Sequence, residues 1–176
     1  YHTGRLGCDM FSYPQHPETL FLPDKEYIPP IYWRRSDLYI DLGHMNLAER
    51  NLSESLAMLG ARPIILRQLA MVNIVKGKID AARIYLGALS KTLFHAHWAN
   101  NHLGQLESDP NLLTDKHVQH LRSLMIEKDY GFLPFVYEDV LLDLLEKNKQ
   151  NRMAFEYLMA LYLLTKQLDK FVQNLD

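Results

Sequence analysis

Two short stretches constrain this chain more than anything else in it. Leu42 to Arg50 reads LGHMNLAER, and 34 residues later Lys76 to Ile84 reads KGKIDAARI. Gly43 aligns with Gly77, Met45 with Ile79, Asn46 with Asp80, and Ala48 with Ala82. Each match has a physical reason. A glycine between two helices permits a tight turn. A small residue lets the second helix approach the first closely. Asn46 and Asp80 carry acceptors where the first N–H groups of a helix need partners. Self-similarity at a period of 20–50 residues is the mark of stacked helical or solenoid units.

The rest of the chain supports an all-α fold. From Tyr32 onward the apolar residues recur at three- and four-residue spacing. The pattern predicts helices over 32–42, 46–59, 63–76, 79–91, 93–107, 115–128, 135–147 and 152–165, with a last segment beginning near Leu168. Met45, Ala48, Leu52, Leu56 and Leu59 form one stripe, and Ile79, Ala82, Leu86 and Leu89 another. Residues 63–76 are apolar almost all round, so that helix is expected to be buried on more than one side. Gly60 and Gly77 stop helices, and Pro63 suits a first turn. No stretch has strand alternation. Short turns between short helices imply antiparallel neighbours.

Residues 1–31 are different. Pro14, Pro17, Pro23, Pro29 and Pro30 interrupt helix, while Tyr1, Met10, Phe11, Tyr13, Leu20, Phe21, Leu22, Tyr27 and Ile28 make the segment too apolar for a free linker. The expected organisation is an extended Pro-rich arm over 1–31 packed on a helical domain over 32–176.

Composition narrows the function classes. A length of 176 residues suffices for a sizeable core, and a formal net charge of −2 gives nucleic acid little to attract. With Cys8 as the sole cysteine there is no internal disulfide. No run approaches the roughly 18 apolar residues that span a bilayer. The chain starts at Tyr1 and ends at Asp176 within a helical pattern, as a piece of a longer protein would.

No catalytic constellation is visible. His95, His97 and His102 sit together in HAHWANNH, but on a helix His97 points away from the other two. His117 and His120 could form half a metal site, without an HExxH pattern or a cysteine pair beside them. The simpler reading is surface or half-buried helix histidines. Cys8, with Asp9 beside it, has no base placed to activate it. Gly4-Arg5-Leu6-Gly7 lacks the Lys-Ser/Thr ending of a phosphate loop. No cofactor, metal or catalytic residue is expected, and the chain is expected not to be an enzyme.

The period of 34 and the residues of 63–91 carry a resemblance. Leu66, Leu69 and Ala70, then Gly77, then Ile79, Ala82 and Leu86 resemble a tetratricopeptide (TPR) repeat, and 32–59 is a poorer copy with Tyr32, Ser36, Tyr39, Gly43, Met45, Ala48 and Leu52. One period on, Asn111 stands where the glycine should be and Lys116 where the alanine should be, although a turn over 108–111 keeps the register. The hairpin at 135–165 is a candidate fourth pair. The segments TGRLGCDMFSYPQ and NRMAFEYLMALYLL are also similar to uncharacterised membrane proteins of Bacteroides-type bacteria, in which a hydrophobic multi-span half precedes a TPR-like soluble half.

The TPR resemblance implies a right-handed stack of helix pairs whose first helices line a concave groove for a peptide or helix. By register the groove residues are Trp33, Arg34, Asp37, Arg67 and Met71. Trp and Arg are frequent interface anchors, though Trp33 has the competing reading of a core residue under the arm. Asp37 and Met71 occupy the positions of the asparagines in carboxylate-clamp TPRs, which argues against that ligand. The expected function is thus a non-catalytic interaction scaffold, the soluble part of a larger membrane-attached bacterial protein. Its expected partner is a protein or peptide, not nucleic acid or a small molecule. The alternative is a regulatory or accessory domain of an enzyme whose catalytic part lies elsewhere. Apolar Phe171, Val172 and Leu175 are expected to pack on a neighbouring molecule or a continuing helix.

Overall fold

The chain turns left-handed at the two matched glycines, and each turn closes with the same pair of hydrogen bonds. In a computed structural model of the chain, Gly43 has φ +95° and Gly77 φ +72°. The His44 N–H reaches back to the Tyr39 carbonyl (2.7 Å), and the Gly43 N–H to Ile40 (3.0 Å). At the second turn Lys78 donates to Asn73 (2.8 Å) and Gly77 to Ile74 (3.0 Å). This is the Schellman arrangement, which satisfies carbonyls that a helix end leaves without partners. It occurs a third time where no glycine stands: Lys166 has φ +60°, Gln167 donates to Tyr162 (2.8 Å) and Lys166 to Leu163 (3.2 Å). Lys166-Gln167-Leu168-Asp169 then aligns with Gly77-Lys78-Ile79-Asp80.

The structure describes residues 29–126 and 137–175, with the side chains of 36–126 and 138–175. The expected arm over 1–31 lies outside this region except for Pro29, Pro30 and Ile31, which belong to the first helix. Among the described residues every regular element is an α-helix. They are α1 (Pro29–Leu42), α2 (Met45–Leu59), α3 (Pro63–Val75), α4 (Ile79–Leu89), α5 (Ala96–Ser108), α6 (Lys116–Leu124), α7 (Tyr137–Lys147), α8 (Arg152–Leu164) and α9 (Leu168–Gln173). None of these is long and apolar enough to cross a membrane. The helix α1 starts three residues before the expected Tyr32. Prolines are tolerated there because the first turn has no intrahelical use for their missing N–H.

Residues 28–129 form one compact unit. Each helix from α1 to α5 packs on the next, so the first four make two hairpins. Ala48 and Ala82 are fully buried at the close approaches expected of them. Helix α3 is central, and Ile65, Leu66, Leu69, Ala70, Val72, Ile74 and Val75 are all buried, as its apolar circumference demands. Truncating one such large side chain to Ala costs about 2–5 kcal/mol.

Capping follows a different rule from the one expected. The α2 N-cap is His44, 1% exposed, whose Nδ1 accepts the Leu47 N–H at 3.4 Å. Asn46 instead accepts from Lys76 Nζ at 2.7 Å, and Asp80 lies beside Arg83 at 3.6 Å. Both sit one residue inside their helices, where the side chain cannot fold back onto the first N–H groups. Glu49 completes the Asn46 cluster, accepting from Lys76 and from Lys78 at 3.1 Å. Partial burial pushes the Glu49 carboxyl up, but the two lysines together outweigh this and hold it below the usual value.

Helix α6 departs from a regular series of hairpins. It packs on α3 and α1, not as an antiparallel partner of α5. Two contacts hold it. The Ile126 N–H donates to the Gly43 carbonyl at 3.3 Å, with Leu124 against Gly43. Arg122 donates from Nε to Val75 O (3.1 Å), from Nη2 to Ile74 O (2.9 Å), and from Nη1 to Asn111 O. The guanidinium thereby closes the carbonyl end of α3, where the helix dipole favours a cation. The left-handed residue in the preceding loop is Leu112 (φ +46°), one position after Asn111. Asp115 then caps α6, accepting from His117 (2.9 Å) and Val118 (3.0 Å).

The described residues from Tyr137 onward belong to another unit. Here α8 packs on α7 and α9 on α8. Asn151 caps α8 through the Ala154 N–H at 3.1 Å. The buried Tyr162 hydroxyl donates to Glu138 Oε1 at 3.1 Å, and Lys170 donates to the same carboxylate at 2.8 Å. Helix α9 buries none of its residues, and Leu168, Val172 and Leu175 are exposed.

Candidate partner-binding face

Helix spacing places Arg67 and Met71 on one face of α3, and Trp98 and His102 on one face of α5, each pair four residues apart. The two faces meet. The Arg67 guanidinium carbon lies over the Trp98 ring, 4.7 Å from its centroid. Trp98 in turn lies 4.1 Å from the His102 ring at an interplanar angle of 35°. His102 Nδ1 is 2.9 Å from the Trp98 carbonyl oxygen. Because a carbonyl can only accept, Nδ1 carries the hydrogen of this bond. The result is a contiguous group of cation, indole and imidazole. Met71 and Trp98 are half-buried against the core, and Arg67 is exposed.

What sets Arg67 apart is the state of its donors. Arg50 bonds Glu54, Arg62 the Leu59 carbonyl, Arg122 three carbonyls and Arg152 Glu156, while Arg83 pairs with Asp80. Among the arginines whose side chains are described, Arg67 alone has no hydrogen bond and no carboxylate partner; its contact is the indole face. Such an exposed cation–π contact is worth about 0.5–1 kcal/mol.

Of the other expected groove residues, Asp37 accepts a hydrogen bond from Gln68 Nε2, tying α1 to α3 beside Arg67 in the chain. Gln68 is buried, and its Oε1 has no partner among the described residues. Trp33 and Arg34 sit in the first turns of α1, and their side chains lie outside the described residues. Of the expected groove residues, Arg67 thus lies against Trp98, which contacts His102, neither of them in that set; Met71 shares the Arg67 face of α3 by its spacing. HAHWANNH drew attention to its histidines as metal ligands; the useful signal in it is the four-residue step from Trp98 to His102. His97 faces elsewhere and contacts Asn101 at 3.2 Å. Among the described residues no three His, Cys, Asp or Glu side chains converge as a metal set would.

Helix α6 limits the face at one end. Its contacts through Arg122 and Leu124 are with the C-terminal ends of α3 and α1, so the accessible part of α3 runs from Ile64 through Arg67 toward Met71. Beyond the face, the loop before α5 exposes Leu93 and Phe94 almost completely, at 95% and 90%.

Over its whole length, residues 1–176, the chain matches the model of a family described as a family of unknown function (DUF6057), and it belongs to that family. No curated protein and no solved structure matches it.

Proposed function

We propose that the chain is a non-catalytic protein-interaction scaffold of TPR-like construction, whose α3–α5 face receives a peptide segment of a partner protein. The observation that carries this reading is Arg67, over the ring of a half-buried tryptophan and without a hydrogen bond among the described residues. An aromatic–arginine pair over an apolar floor is the composition typical of interface hot spots. The superhelical part of the reading is supported by the Gly43 and Gly77 turns and by the successive packing of α1 to α5. The departure at α6 limits the groove to the half of α3 that α6 leaves open. Attachment of the parent protein to a bacterial membrane is a further part of the proposal, supported by the similarity of residues 3–15 and 151–164 described above.

The test is site-specific photo-crosslinking in cells of the source organism. A photoreactive residue at Ile64 or Met71 is expected to capture one discrete protein, and the same group at Ile84, exposed on α4, is expected to capture none. Equal yields from both faces, or none from either in a protein that remains folded, would refute the reading.

A further inference from the structure

We infer that the Arg67–Trp98–His102 group is an anchor for the carboxylate of an internal Asp or Glu side chain in the partner peptide. The inference rests on the reading of this face as a peptide-binding surface.

The first argument is charge. In a chain whose formal net charge is −2, the described arginines other than Arg67 are engaged by carboxylates or carbonyls. Among the described residues, Arg67 is the arginine without an acceptor. The second argument is geometry. The Arg67 guanidinium, its carbon 4.7 Å from the indole centroid, is biased toward this position before any ligand arrives. Its planar N–H edge matches the two oxygens of a carboxylate, which it can hold with two parallel hydrogen bonds. His102 supports the indole from its own helix, fixed by Nδ1 to the Trp98 carbonyl.

The surroundings offer apolar contacts beside a single cation, which suits one carboxylate over a polyanion. Ile64 and Met71 flank Arg67 along α3 and offer apolar contact to the residues beside the acidic one. The ligand motif that fits is therefore one acidic side chain bracketed by apolar residues in an extended or helical segment.

Random peptides displayed on phage, selected on the full chain, test this. Bound peptides are expected to share an Asp or Glu next to apolar residues. Replacing that Glu by Gln in a synthetic copy should weaken binding about tenfold or more on the native protein and by less than about twofold on Arg67→Met. Arg67→Lys should recover little, because it keeps the charge and loses the planar fork. Arg67 is exposed, so both variants should fold, which far-ultraviolet circular dichroism checks. Peptides that bind without an acidic residue, or whose Glu→Gln change weakens binding equally on Arg67→Met, would overturn the anchor and leave the scaffold reading standing. Binding that survives Glu→Gln but is abolished by amidating the peptide's C-terminus would overturn it in favour of terminal-carboxylate recognition. Selection of no peptide by folded protein would overturn both readings.

Discussion

Gly43 and Gly77 occupy the same turn in two copies, yet alanine should not cost the same at both. At each site the backbone is left-handed, and an L-residue there costs about 1–2 kcal/mol. Alanine also stiffens the unfolded chain, which offsets about 0.4–1 kcal/mol. At Gly77 a Cβ would meet nothing within 4 Å, so Gly77→Ala should lose only about 0.5–1 kcal/mol. At Gly43 the same Cβ would lie 2.7 Å from the carbonyl carbon of Leu124 and 2.8 Å from its Cβ, closer still to its carbonyl oxygen. Backbone cannot rotate away as a side chain can. Helix α6 would have to move, straining the Ile126–Gly43 hydrogen bond and the Arg122 contacts with α3. Overpacking of this kind adds about 1–3 kcal/mol, so Gly43→Ala should lose about 2–4 kcal/mol. Trp33 and Trp98 both belong to the unit of residues 28–129, so tryptophan fluorescence in urea reports that unit. Equal losses at the two glycines, or a larger one at Gly77, would refute the placement of α6 against the first turn. Leu124→Ala should not rescue Gly43→Ala, because most of the collision is with backbone.

Other perturbations test separate parts of the structure. Arg122→Met should destabilise the same unit by about 2 kcal/mol in urea unfolding, since charge-assisted bonds to carbonyls at the end of α3 are lost; a loss under about 0.5 kcal/mol would contradict the cap. Glu49 titrates below its unfolded value of 4.5 in the native state, so its contribution is present above that pH and is lost as pH falls through the folded value. The stability gap between native protein and Glu49→Gln should accordingly narrow below about pH 4, and a constant gap would count against the lysine pairing. Tyr162 is pushed up to about 12 by burial first, then by the Glu138 carboxylate. Its contribution is intact below the unfolded value of 10.0 and disappears as pH rises through the folded one, so an ultraviolet titration should show a late-ionising component that Tyr162→Phe removes. At Lys166, Val should destabilise the unit containing α8 and α9 by about 1–2 kcal/mol and Gly should not, as a left-handed site requires; thermal melts that rank them the other way would refute it.

Local chemistry explains how much of this fold was legible before any coordinates. Helix positions follow from the spacing of Met45, Ala48 and Leu52, and of Ile79, Ala82 and Leu86, because a 3.6-residue period needs only neighbours within one helix to express it. The left-handed turns at Gly43 and Gly77 were legible because a positive φ selects glycine almost alone. The third turn was hidden, since Lys166 adopts the same conformation without the residue that announces it. Asn46 and Asp80 stand two positions after the N-caps, His44 and Lys78: capping depends on where the backbone enters the helix, so Asn46 accepts from Lys76 instead, while Asp80 keeps a place in the first turn.

Register alone put Arg67 among the expected groove residues, but its contact with Trp98 was not legible there. A pattern of letters shows that an arginine is on a face; it does not show that the other described arginines have acceptors and this one has an indole. Likewise Arg122 looks like any surface residue in KHVQHLRSL, yet it closes a helix 47 residues earlier in the chain. The all-α class and the turns belong to interactions within one or two helical turns, which the order of residues specifies directly. The path of α6, the closing of α3 and the Arg67–Trp98–His102 group depend on contacts between distant segments, and those exist only once the burial of α3 has drawn α1, α5 and α6 toward it.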